Sequence, residues 1–126
     1  MKYLLLTYLD EEKWFGLSEA EQLRIVGESL PHLQQLIASG KFLGGAPLEP
    51  TPAAATVRMS GGQKMVTDGP FAETREQVGG YTLIEAQNFD EAVAIAAGFL
   101  GRSSIATIEV RQLREMQGLP ELPTHQ

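Results

Sequence analysis

The sequence predicts one α+β domain in the order β-α-β-(hairpin)-β-α-β, a ferredoxin-like unit with an added hairpin. Three observations predict it. Two amphipathic runs carry helix caps and are each bracketed by strand-like runs. A glycine pair lies between two short strand-like runs in the middle of the chain. The length, 126 residues, suits one domain able to bury its own core. The domain is expected over residues 1–113, with 114–126 as a C-terminal tail in which Pro120 and Pro123 promote fraying.

Lys2 to Leu9 reads as a strand ended by Asp10, Glu11 and Glu12. Tyr3, Leu5, Thr7 and Leu9 point one way, and Leu4, Leu6 and Tyr8 the other. Both sides are largely apolar, as in a strand covered on both faces. Ser18 to about Ser39 reads as a helix. Ser18 and Glu21 make a capping-box pattern, and Leu23, Val26, Leu30, Leu33 and Ile37 recur at helical spacing. Pro31 lacks a backbone donor, so a kink or break is expected there.

Phe42 to Leu48 reads as the second strand, and Glu49 to Ala53 as a connection. Ala55 to Met59 and Lys64 to Thr67 flank Ser60-Gly61-Gly62-Gln63, a hairpin signal. Asp68-Gly69-Pro70-Phe71 is a turn. Ala72 to Val78 is polar and reads as a loop or short helical turn, with Gly79-Gly80 leading into a strand over Tyr81 to Ala86. Asn88 caps a second helix, with Glu91 three residues on and Ala92, Val93, Ala96, Phe99 and Leu100 as its buried stripe. Ile105 to Leu113 is the last strand.

Two helices cover one face of such a sheet. The other face keeps Leu and Tyr side chains whose exposure would forfeit about 1.5–3 kcal/mol each. A second copy packed face to face about 10 Å away is the simplest cover, so a homodimer is expected. The alternative is a monomer whose N-terminal loop and C-terminal tail fold over the sheet.

Composition excludes several functions. The net charge is −6 and no two basic residues are adjacent, which disfavours direct nucleic-acid or anionic-membrane binding. The absence of cysteine removes disulfides, thiolate catalysis and zinc–thiolate sites. The apolar N-terminus is too short for a secretory signal or a membrane span, so a cytoplasmic location is expected. Gly44-Gly45 and Gly61-Gly62 are not phosphate loops, dispersed acids with one histidine in 1–113 make no metal ligand set, and no Ser–His–Asp set can be assembled. No cofactor is expected.

The run Val66-Thr67-Asp68-Gly69-Pro70-Phe71-Ala72-Glu73-Thr74-Arg75-Glu76-Gln77-Val78-Gly79-Gly80-Tyr81 resembles the DGPFAETKEQLGGYY signature of the YCII-related family. Arg75 stands for Lys, Val78 for Leu and Thr82 for the second Tyr. Met1-Lys2-Tyr3-Leu4 and Ile108-Glu109-Val110-Arg111 are similar to that family's termini. The resemblance implies a dimeric α/β-barrel of two ferredoxin-like protomers, in the branch marked by the DGPF motif. In the wider family some members are proposed to use a His–Asp pair, and one branch acts on chlorinated hydroxyquinones. DGPF-branch genes often neighbour extracytoplasmic-function sigma factors.

The candidate site residues each have two readings. His32 is either a general base near neutral pH or a partly exposed helix histidine. Asp68 is either a carboxylate positioned on a rigid turn or the side-chain acceptor that closes that turn. Glu73, Arg75 and Glu76 could pair across their loop, contact a ligand or contact a second protomer. Arg111 is an anion anchor or part of a solvated strand face. Tyr8 and Tyr81 supply hydroxyls to a cavity or fill the sheet interface.

The leading expectation is a cofactor-independent small-molecule enzyme using acid–base chemistry of lyase, isomerase or dehydrohalogenase type. Asp68 and His32 would be catalytic, and Arg111, Tyr81 and Glu73 would bind substrate. The alternatives are a non-catalytic regulatory or interaction module that engages a sigma factor, and a scaffold whose signature encodes only a turn and a dimer.

Overall fold

A computed structural model describes residues 1–120; Pro123 of the expected tail lies outside them. The chain runs β1 (Lys2–Asp10), α1 (Glu11–Phe15), α2 (Glu19–Ala38), β2 (Phe42–Pro47), a 3-10 turn (Thr51–Ala53), β3 (Ala55–Ser60), β4 (Gln63–Asp68), β5 (Glu76–Glu85), α3 (Phe89–Gly98) and β6 (Thr107–Gln112). The main sheet is antiparallel in the order β2-β5-β1-β6, and β3–β4 form a separate two-stranded sheet. This is the expected α+β, ferredoxin-like arrangement with its added hairpin.

Strand pleat decides which side chains meet the helices. Tyr3 pairs with Ile84 and Leu5 with Val110 on one face. Tyr3, Leu5 and Ile84 are fully buried there, against Leu36 of α2 and Ala92, Ile95 and Ala96 of α3. The Tyr3 hydroxyl has no hydrogen-bond partner among the described residues, a cost of about 1–3 kcal/mol that burial of its ring must offset. On the other face, Leu4 pairs with Leu83 and Arg111, and Leu6 with Tyr81 and Glu109. No helix among the described residues covers it: Leu4, Leu6 and Leu83 are half-buried and Tyr81 is exposed.

Both expected caps are present. Ser18 Oγ accepts from the Glu21 N–H at 3.2 Å, and Asn88 Oδ1 accepts from the Glu91 N–H at 2.8 Å. Gly61 and Gly62 take φ of 57° and 80°, the two-residue hairpin turn that demands positive φ twice.

Four expectations are corrected. Helix α2 passes through Pro31 without a break. Its buried arc is not the expected stripe: Leu36 is buried, with Ile25, Ser29 and His32 half-buried, while Leu23, Val26, Leu30 and Ile37 are exposed. In α3 the buried set is Ala92, Ile95 and Ala96, with Val93 and Leu100 exposed. Strand β5 starts at Glu76 rather than after Gly80, because Gly79 is skipped in the register: Thr7 faces Gly80 and Tyr8 faces Val78. A Cβ at Gly79 would lie 2.7 Å from Leu9 Cδ1, so a larger residue at the bulge would make the Leu9 side chain move. Glu76 to Val78, expected in a loop, thereby join the sheet and bring Glu76 opposite Asp10.

Candidate functional site

The bulge positions the main cleft. With Glu76 opposite Asp10, the neighbouring Arg75 reaches the end of β1, and its Nε lies 3.3 Å from Asp10 Oδ2. Asp10 also caps α1, because Oδ1 accepts from the Lys13 N–H at 3.2 Å. The Asp10-Glu11-Glu12 run does more than stop a strand: an N-cap aspartate followed by acids in the first turn starts a short helix. That signal is local and legible in the sequence. Glu11 then ties down the following connection, accepting from the Thr51 N–H at 3.0 Å and from the Thr51 hydroxyl.

The Pro70–Arg75 loop, with Gln77 at the start of β5, closes the other side. It folds on itself: Gln77 Nε2 donates to the Ala72 and Thr74 carbonyls at 2.8 and 3.1 Å, and the Thr74 hydroxyl donates to the Glu76 carbonyl at 2.7 Å. Between loop and strand end lies a cleft of about 510 Å³, lined by Asp10, Glu11, Glu12 and Thr51 opposite Glu73, Thr74, Arg75 and Gln77. Asp10 is 8% exposed and is the one buried charged residue among those described. Its carboxylate has four lone-pair sites, and two bonds leave capacity for a ligand.

The candidates expected from sequence do not converge. Glu73 lines this cleft, but Asp68, His32 and Arg111 do not. Asp68 ends β4, is exposed, and accepts no hydrogen bond among the described residues. The turn it was expected to close through its side chain is closed by the backbone. The Gly69 N–H donates to the Ala54 carbonyl at 2.7 Å, and Thr56 Oγ1 donates to the Gly69 carbonyl at 2.9 Å.

His32 lies between the two long helices. Its Nε2 is 2.8 Å from the Ile95 carbonyl, which can only accept, so Nε2 carries the proton. The ring meets Phe99 edge to face at 4.7 Å and lies on Gly98, where a Cβ would sit 2.3 Å from Cε1. These contacts are those of a packed helix histidine. It borders a second, smaller groove of about 350 Å³ with Gln35, Ser39, Lys41 and Glu91. Lys41 and Glu91 pair there at 3.5 Å.

Arg111 and Tyr81 lie on the uncovered sheet face. Arg111 Nε is 3.9 Å from Glu109 Oε2, and the Tyr8 hydroxyl donates to Glu109 Oε1 at 2.8 Å. That bond to Glu109 pushes the Tyr8 hydroxyl above its usual value of 10.0. Lost hydration and the Glu109 charge add to the rise, and Arg111 opposes it.

Among the described residues no group of three or more His, Asp or Glu is arranged to hold a metal ion. No helix among them is long and apolar enough to cross a membrane. Residues 1–117 match the model of the YCII-related domain. A relative from Rhizobium meliloti (strain 1021), the uncharacterized protein R00369, is 39% identical over 114 residues, covering 90% of this chain and 92% of that protein.

Proposed function

The chain belongs to the YCII-related domain family, and on that premise we propose that it binds a small polar molecule in the Asp10–Arg75 cleft and acts on it by acid–base chemistry. The observation that carries this reading is the burial of Asp10 at the cleft floor, fixed by two bonds on a strand end. A carboxylate held in one orientation, with lone pairs to spare, is suited to take a proton from carbon or return it. Arg75 holds that carboxylate through Nε, and its exposed guanidinium keeps donors for a carbonyl or carboxylate oxygen of the ligand. It thereby takes the anchoring role expected of Arg111. Glu73 lines the rim. The reaction class is cofactor-independent proton transfer, as in a lyase, isomerase or dehydrohalogenase.

The same reading makes the protein a homodimer through the uncovered sheet face. Leu4, Leu6, Leu83 and Tyr81 form its apolar centre, with Glu109 and Arg111 along the β6 edge.

The test uses a panel of small α-hydroxy and α-halo carboxylates, followed by amide shifts in solution. Saturable shifts should centre on Thr74, Arg75 and Gln77 and vanish in Arg75→Ala. A compound that is turned over should lose about 10²–10⁴-fold in rate with Asp10→Asn while still binding. Shifts centred on Lys41 or on Arg111, with Thr74 to Gln77 silent, would overturn the assignment.

A further inference from the structure

The side chains lining the Asp10–Arg75 cleft are short of free hydrogen-bond donors. Thr51 gives its hydroxyl to Glu11, and Thr74 gives its hydroxyl to the Glu76 carbonyl. Both N–H groups of the Gln77 amide go to the Ala72 and Thr74 carbonyls. Arg75 is then the one lining side chain with N–H groups to spare, because only its Nε is engaged among the described residues. Acceptors are plentiful by contrast. The side chains of Glu12 on α1 and Glu73 on the loop make no hydrogen bond or ion pair among the described residues, and Gln77 Oε1 accepts none. The charge runs the same way: Asp10, Glu11, Glu12 and Glu73 stand against a single guanidinium.

We infer that the ligand of this cleft carries an ammonium group for the unpaired carboxylates and a carboxylate or carbonyl oxygen for Arg75, as an amino acid does. The inference rests on the reading of the cleft as a binding site and names the class of molecule it takes. An ammonium brings three donors and no acceptor, the complement of walls that offer acceptors. A ligand carboxylate with no positive charge beside it would add to the negative charge already gathered there. A metal ion does not meet the same need, since among the described residues no three acids are arranged to hold one. The cleft volume of about 510 Å³ likewise suits a molecule rather than an ion.

The two free carboxylates belong to different walls. Glu12 is on the short helix that Asp10 caps, and Glu73 is on the loop that Arg75 ties to the strand end. Both are exposed, so Glu12→Gln and Glu73→Gln change the charge without touching the core. Neither is the buried carboxylate assigned to proton transfer, so selection for the ammonium is separable from turnover.

Matched probes that differ only in an ammonium against a hydroxyl test this: serine with glycerate, and norleucine with 2-hydroxyhexanoate. Each is titrated into the full chain while the amide shifts of Thr74, Arg75 and Gln77 are followed. Each amino acid should bind about 10–100-fold more tightly than its hydroxy partner. That advantage should fall by about tenfold when Glu12→Gln and Glu73→Gln are combined, and it should decline as salt is added. A hydroxy acid that binds at these amides as tightly as its amino acid overturns the inference and leaves the cleft a binding site. An advantage that the combined variant keeps in full also overturns it, because the ammonium is then held elsewhere. Silence of these amides toward every probe overturns the binding reading and this inference with it.

Discussion

The Tyr8 hydroxyl donates to a carboxylate, and that bond survives only while the phenol keeps its proton. Its pKa is raised by the Glu109 hydrogen bond, so the folded chain favours the protonated phenol. The sign follows from linkage: the contribution is complete below the unfolded value of 10.0 and is lost as pH climbs through the raised folded value. An ultraviolet titration of tyrosinate should show one residue ionising above 10.0, absent from Tyr8→Phe and moved back down in Glu109→Gln. Ionisation of Tyr8 at or below 10.0 would remove the bond from this account. At the same scale, the sequence identified ionisable residues but not their neighbours. His32 was visible as a histidine on a helix. That its ring fills the space over Gly98 depends on how two helices approach, and spacing within one helix does not encode that. Asp10 was passed over because its cap and its ion pair point in different directions along the chain. The cap is local and could have been read; the Arg75 partner follows only from the Gly79 bulge.

At the scale of elements, helix ends were the most legible features, because a cap is a contact between residues three apart. Asn88 serves α3, whose Ala92, Ile95 and Ala96 face the core. Asn88→Ala should therefore cost about 1 kcal/mol of stability, read from the denaturant midpoint at unchanged slope. A cost under a few tenths would mean that the backbone finds another acceptor. Helix faces were less legible than helix ends. The apolar spacing of α2 is legible, but periodicity shows that an apolar face exists and not what covers it. The core takes the adjoining arc, where Ser29 and His32 stand among Ile25 and Leu36. Strand β5 was read too short because Gly79-Gly80 looks like a breaker. In the sheet Gly79 is instead a bulge pressed against Leu9, and polar Glu76 and Gln77 pair with β1, with Gln77 lining the cleft.

At the scale of the molecule, the order β2-β5-β1-β6 places both long helices on one face and leaves the other without cover. In the sequence this follows from counting: the strand over 2–9 is apolar on both faces, and two helices cover only one. What periodicity could not supply was the site, which depends on a β-bulge, a capped short helix and a loop meeting at one corner. The central claim at this scale is that the uncovered sheet face is shared between two copies. It is tested most directly by sedimentation equilibrium on the unmodified chain and on Leu6→Asp, which places a charge in the middle of the sheet face. The mass should be twice that of the 13.7 kDa chain and fall to one chain when Leu6→Asp is added. An unmodified protein that sediments as a single folded chain would contradict the claim.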